Sequence, residues 1–196
     1  MQALPRDTGW IEVVCGPMFS GKTEELIRRC RRAVYAKQQV AIFKPKLDTR
    51  YAEVEVVSHT KQSLTARPVE TADEILEQLD PDVEVIGIDE AQFIPKNLVA
   101  VCQSLANEGK RVNVAGLDLD YRGVPFEPMP TLMAVAEFVT KALAICVVCG
   151  NPASRSQRLV RGTDRVVLGA TESYEPRCRK HHQVDEALPE QVRLFR

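Results

Sequence analysis

Residues 16–23 carry the spacing G-x-x-x-x-G-K-[ST], in the order Gly16, Pro17, Met18, Phe19, Ser20, Gly21, Lys22 and Thr23. Glycine at both ends of such a loop lets the backbone curl around a phosphate group and direct its N–H groups at it. The lysine of this motif reaches the β- and γ-phosphates, and the hydroxyl that follows it ligates Mg²⁺. The spacing therefore predicts a binding site for a nucleoside triphosphate with Mg²⁺.

The flanking segments favour this interpretation over a glycine-rich turn without chemistry. An apolar run with β character at residues 10–15 precedes the loop, and a helical pattern at residues 24–37 follows it. A helix that begins directly after the loop presents the positive end of its dipole to the bound anion. Strand, loop and helix in this order are the context in which the motif binds nucleotides.

Two acidic residues, Asp89 and Glu90, come directly after the apolar run at residues 83–88. A carboxylate at the end of a strand suits Mg²⁺ in a phosphate-loop site, so Asp89 is the candidate ligand, directly or through a water. Glu90 allows two interpretations, because it can activate a water in an ATPase or accept the proton of a substrate hydroxyl in a kinase. Residues 89–92 resemble the DEAD/DEAH helicase signature, but the chain lacks the length and the basic charge of those enzymes.

A second group of residues has the spacing of a metal site. Cys146 and Cys149 form a C-x-x-C, and Cys178 and His181 form a C-x-x-H. Such paired knuckles fit tetrahedral Zn²⁺, and with all four positions filled the site is predicted to be structural. His182 is an alternative fourth ligand, although the spacing favours His181. A redox-active C-x-x-C is the weaker interpretation, because a second knuckle is present.

The elements that must position these residues alternate between short strands and helices. The predicted strands are residues 10–15, 40–44, 54–57, 83–88, 111–117 and 138–145, with strand-like runs at 156–160 and 165–168. The predicted helices are residues 24–37, 71–79, 95–107 and 131–137. This alternation predicts an α/β fold, a mostly parallel sheet with helices on both faces, of the P-loop NTPase (RecA-like) type. We place the nucleotide-binding domain at residues 1–141, and a zinc-clipped lid with the C-terminal tail at residues 142–196.

Two sets of side chains on these elements have simple predicted roles. Cys15, Cys30 and Cys102 lie in apolar periodic segments and are predicted to be small core residues. The arginines of the first helix fall mostly on the face opposite its apolar residues, and they are Arg28, Arg29, Arg31 and Arg32. We expect this arginine face to be solvated, with a subunit contact as the alternative.

The composition limits the function. The chain has 196 residues and a net charge of −1, so its charge gives no general attraction for nucleic acid. No apolar run is long enough to cross a bilayer, and the polar residues 1–9 do not form a secretory signal. We therefore expect a cytoplasmic protein with reduced thiols, one main domain and a small appendage, and no nucleic-acid or membrane partner.

Residues 16–23, 48–51 and 88–93, together with the zinc knuckles and Tyr174, resemble the type II (cytosolic-type) thymidine kinase family over residues 10–182. The resemblance implies transfer of the ATP γ-phosphoryl to the 5′-hydroxyl of thymidine, and of deoxyuridine, in nucleotide salvage. It implies that Glu90 is the catalytic base and that Arg50 lies near the phosphates. Lys22, Thr23 and Asp89 match the family's phosphate and Mg²⁺ groups.

The resemblance also implies a nucleoside pocket, whose residues here are Met18, Phe93, Leu117, Tyr121, Phe126 and Tyr174. A lasso at residues 161–170 closes over the base, and the family is usually a homotetramer inhibited by thymidine triphosphate. The sequence departs from the family pattern at three positions. Tyr121 stands where some members have Phe, Ala91 replaces the Gly that often follows the base, and His181 ends the final knuckle in place of Cys. Two other functions are weighed against this one: a nucleic-acid-dependent ATPase with a zinc ribbon, and a non-catalytic nucleotide-binding module.

Overall fold

The computed structural model describes residues 8–46, 55–57, 63–94, 97–160 and 173–184. Its strands are β1 (Trp10–Cys15), β2 (Val40–Pro45), β3 (Glu55–Val57), β4 (Ser63–Thr65), β5 (Arg67–Val69), β6 (Val85–Ile88), β7 (Arg111–Gly116), β8 (Phe138–Lys141), β9 (Ala144–Ile145), β10 (Pro152–Ala153), β11 (Arg155–Arg158) and β12 (Tyr174–Arg177). Its helices are α1 (Lys22–Tyr35), α2 (Asp73–Glu77), α3 (Leu98–Asn107) and α4 (Met129–Val135), with a 3₁₀ turn at Ala91–Phe93. Across these ranges, the length and apolar character that a membrane span requires are found in none of the helices.

Six strands form one sheet in the order β5-β2-β6-β7-β1-β8, and every neighbouring pair runs parallel. Side chains of β1 alternate between its faces, because Val13 packs in a cluster with α3 and α4 whereas Val14 packs in a cluster with α1. Helices therefore cover both faces, as crossover connections between parallel strands require. The predicted α/β fold with a mostly parallel sheet is confirmed.

Four short strands, namely β4, β5, β10 and β12, have no counterpart among the predicted ones. β5 contains Pro68, which cannot donate to a strand ladder and is tolerated because β5 is the last strand of its sheet. β12 pairs antiparallel with β11. The strand-like run predicted at residues 165–168 lies outside the described residues.

The single strand predicted at residues 138–145 is wrong, because this segment divides into β8 and β9. β8 pairs with β1, whereas β9 pairs with β10 in a separate two-stranded sheet. At the break, the Ala142 N–H donates a hydrogen bond to the Cys15 carbonyl at 2.8 Å. The chain thus leaves the main sheet beside the phosphate loop, while the division into domains 1–141 and 142–196 stays a prediction.

The helix boundaries differ from the predicted ones by a few residues. α1 begins at Lys22 because the last two residues of the phosphate-loop motif already belong to its first turn. α4 begins at Met129, and Pro130 fits its first turn, where a backbone N–H has no helical partner. At the start of α2 the Thr71 hydroxyl accepts a hydrogen bond from the Glu74 N–H at 3.3 Å, which satisfies one of the N–H groups that lack a partner in the first helical turn.

The three cysteines predicted to lie in the core are buried free thiols, Cys15, Cys30 and Cys102. Burial raises the pKa of the Cys30 and Cys102 thiols to about 12. They therefore stay protonated at neutral pH and pack as small apolar side chains.

A buried ion pair joins α1 to the sheet. Glu12 of β1 is 6% exposed, and its Oε2 lies 2.8 Å from Nη1 of Arg29. Nε of Arg111 in β7 lies 2.6 Å from Glu12 Oε1, and the Trp10 indole N–H donates to the same oxygen at 2.7 Å. Burial by itself would raise the pKa of Glu12, but the hydrogen bonds from Arg111 and Trp10 and the two arginine charges outweigh it and lower that pKa.

The expectation of a solvated arginine face is therefore wrong for Arg29, which is 9% exposed and also donates to the Thr140 hydroxyl at 3.0 Å. Its neighbour Arg28 is exposed and pairs with Glu25 on the same helix. The sequence pattern does not show that Arg29 is buried and Arg28 exposed. The difference depends on Glu12, the partner of Arg29, which lies in a strand 17 residues earlier in the chain.

We expect Arg29→Met to lower the free energy of unfolding by about 3 kcal/mol, because the Glu12 carboxylate would stay buried with one partner removed. For a chain of this size that is a fall in Tm of about 6 to 12 °C. Arg28→Met, the matched control on the exposed face, should change stability by less than about 1 kcal/mol. Equal effects of the two variants in thermal unfolding would contradict this account.

The same network predicts a pH dependence. The folded pKa of Glu12 is lowered from its ordinary value of 4.5. Its contribution to stability is therefore complete above the unfolded pKa and is lost as the pH falls through the folded pKa. The Tm difference between the wild type and Glu12→Gln should be full at neutral pH and should narrow as the solution is acidified below the unfolded value. A difference that is independent of pH would count against this role of the carboxylate.

Candidate functional site

The phosphate loop connects the end of β1 to the start of α1. The backbone φ angles of Gly16 and Gly21 are 146° and 79°, values that residues with a Cβ atom rarely adopt. A Cβ at Gly16 would also lie 2.3 Å from the Ala142 carbonyl oxygen, so the close approach of the next segment requires glycine there. The glycine spacing of the motif thus corresponds to a tight loop that ends at a helix N-terminus, which favours anions.

Lys22 is buried inside this loop, where its Nζ donates to the Pro17 carbonyl at 2.7 Å. Burial lowers the pKa of Lys22, and the nearby charges of Glu90 and Asp89 oppose that shift. The loop therefore holds a cation at its centre, with acidic residues close to it. This arrangement is suited to a polyanion that brings a metal ion with it.

Asp89 and Thr23 come together from different parts of the chain. Asp89 follows β6, and the Thr23 hydroxyl in α1 lies 3.1 Å from one of its carboxylate oxygens and 3.3 Å from the other. Burial raises the pKa of Asp89 to about 7, and the charge of Glu90 adds to the rise. A hydroxyl beside a buried carboxylate is an oxygen donor set that fits Mg²⁺, and a divalent cation would favour the ionised carboxylate.

Glu90 is half-buried and adopts the left-handed conformation, with φ 50° and ψ 40°, at the start of the 3₁₀ turn. This conformation is uncommon for a residue other than glycine and is often found at functional sites. The Gln92 side chain reaches back from the same turn and donates from Nε2 to the Glu90 carboxylate. At the other end of the Gln92 amide, Oε1 accepts a hydrogen bond from the Leu117 N–H at 2.9 Å.

Four of the residues expected to line a nucleoside pocket lie in segments that follow β6 and β7 at this edge of the sheet, namely Phe93, Leu117, Tyr121 and Phe126. Phe93 and Phe126 form an edge-to-face pair with ring centroids 5.8 Å apart. Leu117 and Tyr121 lie on the segment that follows β7, and the guanidinium carbon of Arg158 lies 4.8 Å from the centroid of the Tyr121 ring. Tyr174, which is 7% exposed, begins β12. Arg50 and the lasso at residues 161–170 lie outside the described residues.

The four predicted zinc ligands form one cluster, in which all ligand atoms lie within 4.8 Å of one another. The Sγ atoms of Cys149 and Cys178 are 3.8 Å apart, and His181 Nδ1 lies 3.7 Å from Cys146 Sγ. Four ligands at zinc–sulfur distances of about 2.3 Å in a tetrahedron would lie about 3.8 Å apart, so the cluster is compatible with Zn²⁺. The ring of His182 instead contacts the Tyr121 carbonyl oxygen at 2.8 Å.

The Cys₃His cluster and the phosphate loop are in direct contact. The Met18 N–H donates to the Ser156 hydroxyl at 3.0 Å, and Phe19 packs against an apolar cluster that includes Cys146 and Cys178. Two residues of this region, Ser156 and Gln92, are not predicted by the sequence pattern. A single serine in a polar strand and a single glutamine after two acids give no signal of their own, because each takes its position from residues distant in the chain.

Known proteins with similar sequences support one family. Residues 9–182 match the family model described as thymidine kinase. A thymidine kinase of Rhodothermus sp. (strain ITI 518) is 62% identical over 175 residues, which cover 89% of this chain and 82% of the relative. A thymidine kinase of Bdellovibrio bacteriovorus (strain HD100) is 55% identical over 181 residues, which cover 92% of this chain and 89% of the relative. With a family model matched from β1 to the zinc cluster and relatives of this identity, the chain belongs to the thymidine kinase family.

Proposed function

We propose that this protein transfers the γ-phosphoryl group of ATP to the 5′-hydroxyl of thymidine. The observation that carries the proposal is the meeting of a phosphate loop, an acidic pair and an aromatic pair at one edge of the sheet, in a chain of this family. Deoxyuridine is a second expected acceptor, since a missing methyl group changes binding in an apolar pocket by only about 1–3 kcal/mol.

The donor side is the phosphate loop. Its backbone N–H groups and Lys22 hold the ATP phosphates, and Thr23 and Asp89 hold Mg²⁺. When bound, Mg²⁺ neutralises charge on the phosphate oxygens. We also place Arg50 near the phosphates, on the resemblance of residues 48–51 to the family motif. Phosphoryl transfer depends on this alignment and charge neutralisation more than on covalent help from the protein.

The acceptor side is the pocket beyond Glu90. Phe93 and Phe126 provide an apolar surface for the thymine ring of the nucleoside. The segment with Leu117 and Tyr121 continues this surface. Met18 and Tyr174 complete the proposed pocket. Glu90, as general base, accepts the proton of the 5′-hydroxyl as the oxygen attacks phosphorus, and the leaving group is ADP.

The segment predicted as a zinc-clipped lid, residues 142–196, is proposed to close over the site. With Cys146, Cys149, Cys178 and His181 as ligands, Zn²⁺ would fix the base of the lasso at residues 161–170 against the phosphate loop. A closed lid excludes water from the phosphate and limits wasteful ATP hydrolysis. We further infer a cytoplasmic homotetramer that is inhibited by thymidine triphosphate, as the family resemblance implies. A nucleic-acid-dependent ATPase is not favoured, because both relatives are named as thymidine kinases.

The proposal is tested by offering labelled ATP with a panel of nucleosides and following ATP hydrolysis in parallel. We expect label on thymidine and deoxyuridine, with slow hydrolysis when nucleoside is absent. Glu90→Gln should lower turnover by about 10²–10⁴-fold, the usual effect of losing a general base, and leave thymidine binding nearly intact. Glu77→Gln, which neutralises an exposed carboxylate on α2, serves as the charge-matched control.

Two results would contradict the proposal. Wild-type turnover in Glu90→Gln would remove Glu90 from the role of base. Rapid hydrolysis of ATP without any acceptor, together with stimulation by DNA or RNA, would replace the kinase function with that of an ATPase.

For the metal, we expect one zinc per chain in the purified protein. Cys149→Ser and Cys178→Ser should each lower the zinc content and expose residues 142–184 to limited proteolysis, because each removes one ligand of the cluster. Cys102→Ala, a cysteine of the main core, should keep the full zinc content. A fully active preparation without zinc would overturn the structural role of the metal.

A further inference from the structure

Gln92 joins the proposed base to the wall of the nucleoside pocket. The side chain is buried, with 5% of its surface exposed. A backbone N–H can only donate, so the end of the Gln92 amide that faces the Leu117 N–H must be Oε1. The other end, Nε2, then faces Glu90 and must donate to it. The Leu117 N–H thus fixes the orientation of the amide, and the amide in turn fixes an acceptor oxygen of Glu90.

The space around Gln92 supports this orientation. A Cβ at Gly116 would lie 2.8 Å from Gln92 Oε1 and 2.6 Å from the Met129 sulfur. Gly116 ends β7 directly before Leu117, so glycine at this position leaves the room that the amide occupies. Within the described parts of the chain, Gln92 is the residue whose side chain donates a hydrogen bond to the Glu90 carboxylate.

We propose that Gln92 is the positioning residue of the reaction: it holds the Glu90 carboxylate at a fixed place relative to Leu117, and so relative to the nucleoside. This inference rests on the proposed function, in which Glu90 is the base. A general base must lie within hydrogen-bond reach of the hydroxyl it deprotonates, and a displacement of about 1 Å can slow a reaction about 100-fold. Gln92 acts through Glu90 and is not proposed to touch the substrate.

A double-mutant cycle tests this role. Gln92→Met keeps the volume of the side chain but removes both hydrogen bonds. We expect it to lower kcat by about 10–100-fold with the thymidine KM changed by less than about threefold, because the base is displaced while the pocket remains. In the Glu90→Gln background, Gln92→Met should change the rate by less than about twofold, because no carboxylate is left to position.

A second variant separates the two bonds. Gln92→Glu keeps an acceptor for the Leu117 N–H but removes the donor to Glu90, so it should slow the enzyme at least as much as Gln92→Met. Gln103→Met and Gln103→Glu, at an exposed position on α3, control for the change of residue type. Each variant is first checked for a Tm close to that of the wild type, and its kcat and thymidine KM are then measured at saturating ATP with the thymidine concentration varied.

The outcomes are distinguishable. Equal slowing by Gln92→Met in the wild-type and Glu90→Gln backgrounds would show a general structural role and overturn the inference alone. Wild-type kcat in both Gln92 variants would also overturn it alone. A wild-type rate in Glu90→Gln would overturn the proposed base itself, whatever the Gln92 variants do.

Discussion

β1 pairs in parallel with β7 on one side and with β8 on the other. The position of the candidate site, at the edge of the sheet where these strands end, depends on this pairing. Because the six strands of the main sheet run in one direction, the segments that follow them emerge at the same edge of that sheet. The ammonium group of Lys141, the last residue of β8, lies 2.7 Å from the carboxylate of Asp118, which follows β7. This ion pair joins the neighbours of β1 on either side of the point where the phosphate loop leaves the sheet.

The buried ion pair of Glu12 and Arg29 holds α1 against β1, and so helps to position the phosphate loop that connects them. Replacing such a pair with apolar residues is often neutral for stability, so its presence is better explained by geometry than by energy. Arg29 contacts β1 and also Thr140 of β8, so α1 is tied to two adjacent strands at one position along its axis. Since α1 begins at Lys22, fixing the helix fixes the end of the phosphate loop.

The features that local sequence determines were the ones that could be predicted. β1 has its predicted bounds because an apolar run ends at a glycine, and the Cys₃His cluster forms from residues whose spacing is itself the signal. Arg29 and β5 could not be predicted, because tertiary partners decide both: a glutamate 17 residues away for the arginine, and the edge of β2 for the strand. Gln92 belongs to the same class, since its role depends on the backbone of Leu117.

The contact between the phosphate loop and the Cys₃His cluster connects the candidate zinc site with the site where phosphate would bind. The Met18 N–H is bonded to Ser156 of β11, and Phe19, in the left-handed conformation with φ 65°, packs on the apolar side of the cluster. A loop residue held in such a conformation needs surrounding contacts that stabilise it. The Cys₃His cluster provides such contacts at Phe19, and at the other end of the loop the Ala142 N–H is bonded to the Cys15 carbonyl. We therefore expect a change at the Cys₃His cluster to reach the phosphate loop through these direct contacts, without passing through the sheet.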